Sequence, residues 1–334
     1  MDFGNVSFYE KGILFNGYAL VLVFPHSNAA FCQLYKSKNA ECMLQGLKDM
    51  FNYVGGVPHT NWFDNDTAIV SVSREEPTVR CIHELFLRFK NHYDFQEIFC
   101  TPRSPNEKGV VENAVKFVRK NLFVPIPRFD DLEEYNHQLL DKCTSYFGRK
   151  NYRMKVPISE LYIDDIAALN PLPEVEFNVA TIRKRKVDCL GKIVVDGKYS
   201  YFAGPDFVYK TIQVRQTYNK FELIDVHGKE IVKYDRLYGE PGQEQIRWED
   251  YLPIIIDKPN SLRNLSINKL FSKSLKTYIL ALNTTDKKEF LKGMYDVCQE
   301  SDFSTAVSIA EVAAEQEIKN STDFMEIWNN RIKD

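Results

Sequence analysis

Residues 18–56 read YALVLVFPHSNAAFCQLYKSKNAECMLQGLKDMFNYVGG, and this stretch decides the fold. Tyr18–Phe24 is continuously apolar, as expected of a central strand covered on both faces, and Ala29–Tyr35 follows it as a second strand. The apolar residues then recur with the period of a helix, which Asn39 can cap and Gly55–Gly56 can end. Two strands followed by an amphipathic helix predict a domain of the α/β class.

The flanking sequence extends this pattern to five strands. Val6–Phe8 predicts a strand before the quoted stretch, and Val57–Phe63 and Phe95–Phe99 predict two strands after it. These last two are reached through helices, one of which carries its apolar residues at Val79, Ile82, Phe86 and Phe89. We therefore predict a five-stranded mixed sheet that starts with three antiparallel strands and has helices packed on it.

The remainder of the chain shows different patterns of predicted helices and strands. Residues 125–174 read as a helical connector interrupted by prolines. Residues 175–240 contain short strand patterns with turn signals between them, which predicts a small antiparallel β-barrel that could contact DNA. Residues 241–334 are again helical, and we expect them to form an assembly region. The predicted core then comprises residues 1–124.

The composition is that of an ordinary globular protein, with 44% hydrophobic and 27% charged residues and a net charge of −3. The longest apolar run is far shorter than the roughly 20 residues of a membrane helix, and no signal peptide is visible, so we expect a soluble, cytoplasmic protein without a membrane partner. The seven cysteines and six histidines show no metal-ligand spacing. A Walker loop, a dinucleotide fingerprint and a nucleophile elbow are also missing, which argues against an ATPase, a hydride-transfer enzyme and a serine hydrolase.

Three acidic residues occur where the predicted sheet would gather them. Asp2 lies in the first strand, Asp64 follows the fourth, and Glu112 lies on the helix after the fifth. They share one site only if the first and fourth strands are neighbours, which is the RNase H-like topology. Each residue also has an ordinary interpretation: Asp64, like Asp66, can simply end a turn, Asp2 can lie on a frayed terminus, and Glu112 can pair with a lysine one turn away.

The motifs around these acids, taken together, closely resemble the integrase core of IstA-type transposases, the larger protein of a two-gene group of bacterial insertion sequences. They are Asp2-Phe3-Gly4, Gly55-Gly56-Val57-Pro58, Asp64-Asn65 and Pro105-x-x-Lys108-Gly109-x-Val111-Glu112. Val187–Ser200 is similar to the small β-barrel that follows the core in that family. The resemblance covers residues 1–240 and implies an RNase H-like fold of the retroviral-integrase type.

The resemblance implies a DNA transposase, an Mg²⁺-dependent polynucleotidyl transferase of the DDE class. Asp2, Asp64 and Glu112 would be its catalytic residues and would bind two Mg²⁺ ions, with Mn²⁺ as a substitute. Clustered carboxylates repel one another and are tolerated around cations, and two such ions can activate the attacking oxygen and neutralise the leaving one. The site would hydrolyse transposon 3′ ends and transfer them to target DNA. Two alternatives stay open: a truncated, non-catalytic DNA-binding or assembly protein of the same fold, and a metal-dependent nuclease that only hydrolyses.

Two basic clusters are candidates for DNA contact in spite of the negative net charge. The first surrounds Glu112 on one helix and comprises Lys108, Lys116, Arg119 and Lys120. The second opens the predicted barrel and comprises Arg183, Lys184, Arg185 and Lys186. Such residues can hold DNA phosphates, but both clusters can equally be solvated surface charge.

The sequence departs from the family at its start. IstA-type proteins carry a helix-turn-helix region ahead of the core, whereas this chain begins one residue before Asp2, so we expect a truncated protein without that region. The resemblance also implies a homo-oligomer acting on paired DNA ends and an AAA+ ATPase helper as a partner. The expected location is the bacterial cytoplasm, with association to the nucleoid when the protein is bound to DNA.

Overall fold

The computed structural model describes residues 1–63, 70–72, 80–100 and 105–333, and it has the predicted α/β architecture. The chain divides into two compact units. The first comprises Met1–Ile182 and Arg215–Phe221, and the second comprises Arg183–Val214 and Glu222–Asp334. The four-part division expected from the sequence stays a prediction.

The strands, in chain order, are β1 (Asp2–Glu10), β2 (Ile13–Val23), β3 (Ala30–Tyr35), β4 (Thr60–Phe63), β5 (Val70–Val72), β6 (Arg80–Ile82), β7 (Gln96–Phe99), β8 (Arg128–Phe129), β9 (Thr181–Lys186), β10 (Lys192–Val195), β11 (Tyr199–Phe202), β12 (Thr211–Gln216), β13 (Lys220–Ile224), β14 (Glu230–Asp235) and β15 (Gln243–Gln245). The helices are α1 (Ala40–Val54), α2 (Glu84–Tyr93), α3 (Pro105–Leu122), α4 (Leu132–Ser145), α5 (Ile158–Ala167), α6 (Trp248–Asp257), α7 (Lys273–Ala281), α8 (Thr284–Glu300), α9 (Phe303–Glu315) and α10 (Ser321–Lys333).

The main sheet of the first unit has the order β3-β2-β1-β8. Its first three strands are antiparallel neighbours, as predicted, and Asp2 lies opposite Val21. The short strand β8 pairs in parallel with the far end of β1, where Tyr9 lies opposite Arg128. Leu20, Val21 and their neighbours on β2 are fully buried, which explains why the sequence of this strand lacks the alternation of a half-exposed strand.

The sheet differs from the five-stranded prediction because β4 and β7 form a separate parallel pair. Contact between β4 and the main sheet is made by Met1, whose ammonium group donates a hydrogen bond to the carbonyl oxygen of Trp62 at 2.8 Å. A strand ladder needs a series of such bonds, and β4 makes its ladder with β7.

Helix α1 follows the local signals of its sequence. The Asn39 side chain accepts a hydrogen bond from the amide of Cys42 at 2.9 Å and so caps the start of the helix. Gly55 ends the helix with φ at 80°, a left-handed conformation that glycine adopts without a steric cost. The predicted start and end of this helix are confirmed.

The helix expected around residues 79–89 begins later than its apolar pattern suggested. Ile82 lies in β6, where it pairs with Val70 of β5, and α2 begins at Glu84. Strand pairing therefore overrides the helical period at this end of the pattern. Val79, the first residue of the predicted pattern, lies outside the described residues.

The strand-rich region contains two sheets rather than one closed antiparallel barrel. Their strand orders are β14-β13-β12-β9 and β10-β11-β15. The second sheet includes β15, which lies beyond the predicted boundary at residue 240 and pairs in parallel with β11. The prediction missed this strand because Gln243–Gln245 is short and polar and shows no strand pattern of its own.

The C-terminal helices build a second hydrophobic core. Phe290, Met294, Ile309 and Phe324, from α8, α9 and α10, are fully buried together. Among the described helices, none joins the length and the apolar character that crossing a membrane requires.

Candidate active site

Asp2 lies at the start of β1, close to the end of β4. Its side chain is half-buried, and its Oδ1 accepts a hydrogen bond from the amide of Phe3 at 2.7 Å. The residue before it, Met1, is buried and bonded to the carbonyl of Trp62, which is followed by Phe63, the last residue of β4. The first strand and the fourth strand therefore approach each other at Met1, one residue before Asp2.

Helix α3 is held against β1 at Gly4. A Cβ atom added to Gly4 would lie 2.6 Å from Cγ1 of Val115, well inside van der Waals contact. Alternate residues of a strand point to the same face, so Asp2 and Gly4 share the face of β1 that α3 covers. The absence of a side chain at Gly4 lets α3 come this close to the strand.

Two groups of contacts set the direction of α3 along the sheet. Arg119, near the helix end, lines a surface groove of about 440 Å³ with residues from the middle of β1 and β2, among them Asn5 and Tyr18. Asn113 lies nearer the start of the helix and lines a different pocket with Val23. Val23 lies two residues after Val21 on β2, and Val21 pairs with Asp2, so this pocket lies at the end of the sheet that carries Asp2. The N-terminal half of α3 therefore lies at the end of β1 that carries Asp2.

Glu112 belongs to this N-terminal half. It precedes Val115 by three residues, and residues with this spacing lie on the same side of a helix, about 4.5 Å apart along its axis. Its side chain is exposed. Within the described part of the chain, Glu112 forms no ion pair with Lys116. An i, i+4 pair with Lys116, which would have been an ordinary structural role for this residue, is therefore not formed.

The structure thus brings Asp2 and Glu112 to one end of β1, while Asp64 and its neighbour Asp66 lie outside the described residues. Among the residues that are described, no group of three acidic, histidine or cysteine side chains is arranged to hold a metal ion. The three-carboxylate site therefore stays a prediction.

Three of the four predicted DNA-binding residues of α3 are on the surface. The side chains of Lys116, Arg119 and Lys120 are exposed, and Lys108 lies in the first half of the same helix. Lys116 follows Glu112 by about one helical turn, and Arg119 and Lys120 follow it by about two.

The other predicted cluster, Arg183–Lys186, lies on β9, which is the edge strand of its sheet and enters the second unit at Arg183. Three of its four cations are exposed and Arg185 is half-buried. Charged side chains on an edge strand also prevent pairing with other chains, so the position alone does not assign these residues to DNA.

The sequence analysis missed a basic element beside α3. Arg149 and Lys150 line a pocket of about 300 Å³ together with Asn113 and Phe117 of the helix. The guanidinium carbon of Arg149 lies 3.6 Å from the centre of the Phe117 ring, and burial lowers the pKa of Arg149. A count of charges in short windows would have found this element, since Arg149–Lys155 contains four cations and no acid.

Comparison with known proteins identifies transposases as relatives. A transposase of Aminobacter aminovorans is 27% identical over 245 residues, which are 72% of this chain and 47% of the relative. The transposase for insertion sequences IS1326/IS1353 of Pseudomonas aeruginosa is 26% identical over the same shares of the two chains. The transposase for insertion sequence element IS21, also of Pseudomonas aeruginosa, is 30% identical over 49% of this chain and 42% of the relative.

These relatives confirm the predicted resemblance to transposases of bacterial insertion sequences, and the chain spans about half of their length. No protein-family model matches the sequence. Among solved structures, a simian T-cell lymphotropic virus intasome in complex with a PP2A regulatory subunit matches with a TM-score of 0.33 and 13% identity, over 71% of this chain and 75% of that chain. A likeness this weak carries no argument about fold or function.

Proposed function

We propose that this chain is the catalytic part of a DNA transposase that cuts transposon 3′ ends and joins them to target DNA, with Asp2, Asp64 and Glu112 as the catalytic carboxylates. The observation that supports the proposal is the close approach of Val115 on α3 to Gly4 on β1, which, with the direction of α3, puts Glu112 and Asp2 toward the same end of β1. Asp2 and Glu112 are 110 residues apart in the sequence and come from a strand and a helix. The relatives of the chain, which are transposases, also support the proposal.

The start of β1 is linked to the end of β4. The Met1 nitrogen donates a hydrogen bond to the carbonyl of Trp62. At the other end of β1, the amide of Tyr9 donates to the carbonyl of Pro127, and Tyr9 lies opposite the residue after it, Arg128. In the same parallel relation, Met1 would lie opposite Phe63. Asp64 itself lies outside the described residues, so its part in the site stays a prediction from the family resemblance.

The donor set fits divalent metal ions. Carboxylate oxygens are the ligands that Mg²⁺ and Mn²⁺ prefer, and the exposed Glu112 is not occupied by a pair with Lys116. Two such ions, when bound, activate an attacking oxygen and neutralise the leaving oxygen of a phosphodiester. The amide of Phe3 holds one oxygen of Asp2, which orients this carboxylate before any ion arrives.

The remaining parts of the proposal concern DNA and assembly. Lys116, Arg119 and Lys120 would hold phosphates beside Glu112, and Lys108 would lie one turn before it. The transposase would act as a homo-oligomer on paired DNA ends. The AAA+ ATPase helper stays a prediction from the family resemblance.

The proposal is tested with Glu112→Gln, which removes one charge and keeps the size of the side chain. We expect cleavage of an uncut DNA end, and joining of a pre-cut DNA end to a plasmid target, to fall by at least about 100-fold in Mg²⁺ or Mn²⁺. Binding of Mn²⁺, measured by calorimetry without DNA, should weaken as well. The matched control is Glu160→Gln, the same change at an exposed position of α5, and it should leave both quantities unchanged.

The outcomes separate the candidate functions. Joined products from the unaltered chain support a transferase, whereas cut products alone support the nuclease that only hydrolyses. Absence of both products, together with absence of Mn²⁺ binding, supports the non-catalytic DNA-binding protein. Full activity of Glu112→Gln would contradict the proposed catalytic residue whichever product is formed.

A further inference from the structure

The loop Arg149–Lys155, called the basic loop below, concentrates positive charge near the candidate active site. Its four cations are Arg149, Lys150, Arg153 and Lys155, and it contains no acidic residue. Within the residues that the structure describes, none of these four forms a salt bridge with a carboxylate. Four neighbouring like charges repel one another, and a bound polyanion would relieve that repulsion.

Hydrogen bonds of one buried side chain fix the conformation of the basic loop. Asn151, the third residue of the loop, is buried, and its side-chain nitrogen donates to the carbonyls of His26 at 3.2 Å and Ser27 at 3.1 Å. Its side-chain oxygen accepts from the amides of Arg153 at 2.9 Å and Met154 at 3.2 Å. This one residue therefore ties the loop to the turn after β2 and also sets its internal shape.

Backbone contacts close the base of the basic loop. The amide of Asn151 donates to the carbonyl of Val156 at 2.8 Å, and the amide of Lys155 donates back to the carbonyl of Asn151 at 2.9 Å. The side chains of Lys150, Arg153 and Lys155 are left exposed around this frame, together with Tyr152. A frame that is already ordered holds the cations in place, so less conformational entropy is lost when a ligand binds.

The basic loop adjoins the helix of the candidate active site. Its residues 149–152 line one pocket with Asn113, Ala114 and Phe117 of α3, and Asn113 directly follows Glu112. Arg149 is half-buried against Phe117, and its Nη2 donates to the carbonyl of Asn28 at 3.3 Å. The charge of Arg149 is thus held at the wall of a pocket that begins one residue away from Glu112.

We propose that the basic loop binds backbone phosphates of the DNA strand that enters the candidate active site, with Lys150, Arg153 and Lys155 making the contacts. The inference rests on the proposed function, since it takes DNA to be the substrate. Phosphate contacts of this kind hold the strand in place without reading its sequence. The loop would therefore act on both transposon ends and target DNA.

The test uses the full chain with Lys150→Ala, Arg153→Ala and Lys155→Ala combined, and a short DNA duplex of arbitrary sequence as the probe. Log affinity falls with log salt by about 0.9 per phosphate contact, so the loss of three contacts should make this negative slope shallower by about 2.7. Affinity at low salt should fall at least about tenfold. The altered side chains are exposed, and Asn151 is retained so that the frame of the loop persists.

The matched control replaces three exposed lysines of the second unit: Lys273→Ala, Lys276→Ala and Lys288→Ala. It removes the same charge, so a general effect of net charge would appear equally in both variants. A second control, Lys150→Arg with Lys155→Arg, keeps the charges and should retain the salt dependence of the unaltered chain. Equal affinity and equal salt dependence of the loop variant and the unaltered chain would overturn the inference.

Kinetics separate this inference from the proposed function. The loop variant should raise the DNA concentration needed for half-maximal joining and leave the rate at saturating DNA nearly unchanged, whereas Glu112→Gln should lower the saturated rate. If the unaltered chain joins DNA and the loop variant binds normally, the inference alone fails. If the chain neither cuts nor joins, yet the loop variant loses DNA affinity, the proposed function alone fails.

Discussion

Gly4→Ala is the substitution that tests most directly how the fold builds the site. The added Cβ would lie 2.6 Å from Cγ1 of Val115, while two carbon atoms in contact prefer about 3.5 to 4.0 Å. The helix or the side chain must therefore give way by about 1 Å. Valine is branched at Cβ and keeps one rotamer in a helix, so we expect α3 to move rather than Val115 to rotate.

The expected cost has two parts. Overpacking of this kind lowers the free energy of unfolding by about 1–3 kcal/mol. A displacement of about 1 Å between α3 and β1 also misplaces Glu112 relative to Asp2, and a misplacement of that size can lower a catalytic rate about 100-fold. Unfolding in urea measures the first effect, and joining of a pre-cut DNA end measures the second.

Two further variants make the result decisive. Val115→Ala removes the clashing methyl group, so Gly4→Ala combined with Val115→Ala should recover stability and joining relative to the sum of the single changes. Gly109→Ala is the matched control, because its added Cβ meets nothing within 4 Å, and the loss of a helical glycine should stabilise the protein by about 0.5–1 kcal/mol. Unchanged stability and unchanged activity of Gly4→Ala would refute the reasoning about how α3 is placed.

Three other predictions follow from the same structure. Asn151→Ala leaves buried carbonyl groups of the turn after β2 without a donor and should lower the free energy of unfolding by about 1–3 kcal/mol, measured by urea unfolding at neutral pH. Burial raises the pKa of Asp49 to about 6 from its ordinary 3.8, so the folded state favours the protonated acid; stability should fall as the pH rises from about 4 through 6, and thermal melts of Asp49→Asn should lack this fall. Replacing Lys116 and Arg119 by alanine should weaken DNA binding and reduce its salt dependence in the same duplex titration, while Mn²⁺ binding persists.

Elements with local signals could be predicted from the sequence. Helix α1 begins after the Asn39 cap and ends at Gly55, as its sequence indicates, because a capping side chain and a left-handed glycine act within one turn of the chain. The central strand β2 was equally clear, since its apolar run has the length and composition of a buried strand.

Elements whose partners are remote were predicted less well. Ile82 has a place in a helical pattern but pairs with Val70 in a strand, and Gln243–Gln245 became a strand only by pairing with β11. Strand β4, predicted as part of the main sheet, forms its ladder with β7 and is linked to the start of β1 by one hydrogen bond from Met1. Hydrogen bonding between distant segments decides such cases, and the pattern within one segment does not contain that information.

The sequence by itself determined the α/β class, the chain positions of Asp2, Asp64 and Glu112 as candidates, and the resemblance to insertion-sequence transposases. Only the tertiary structure decided that Asp2 and Glu112 lie at the same end of β1, because that depends on a close contact between Gly4 and Val115 across 110 intervening residues. It also decided where the charges of the basic loop lie. The cations of the basic loop can be read from the sequence alone. The position of the loop next to α3 depends on the fold, in which Asn151 forms hydrogen bonds with the distant residues His26 and Ser27.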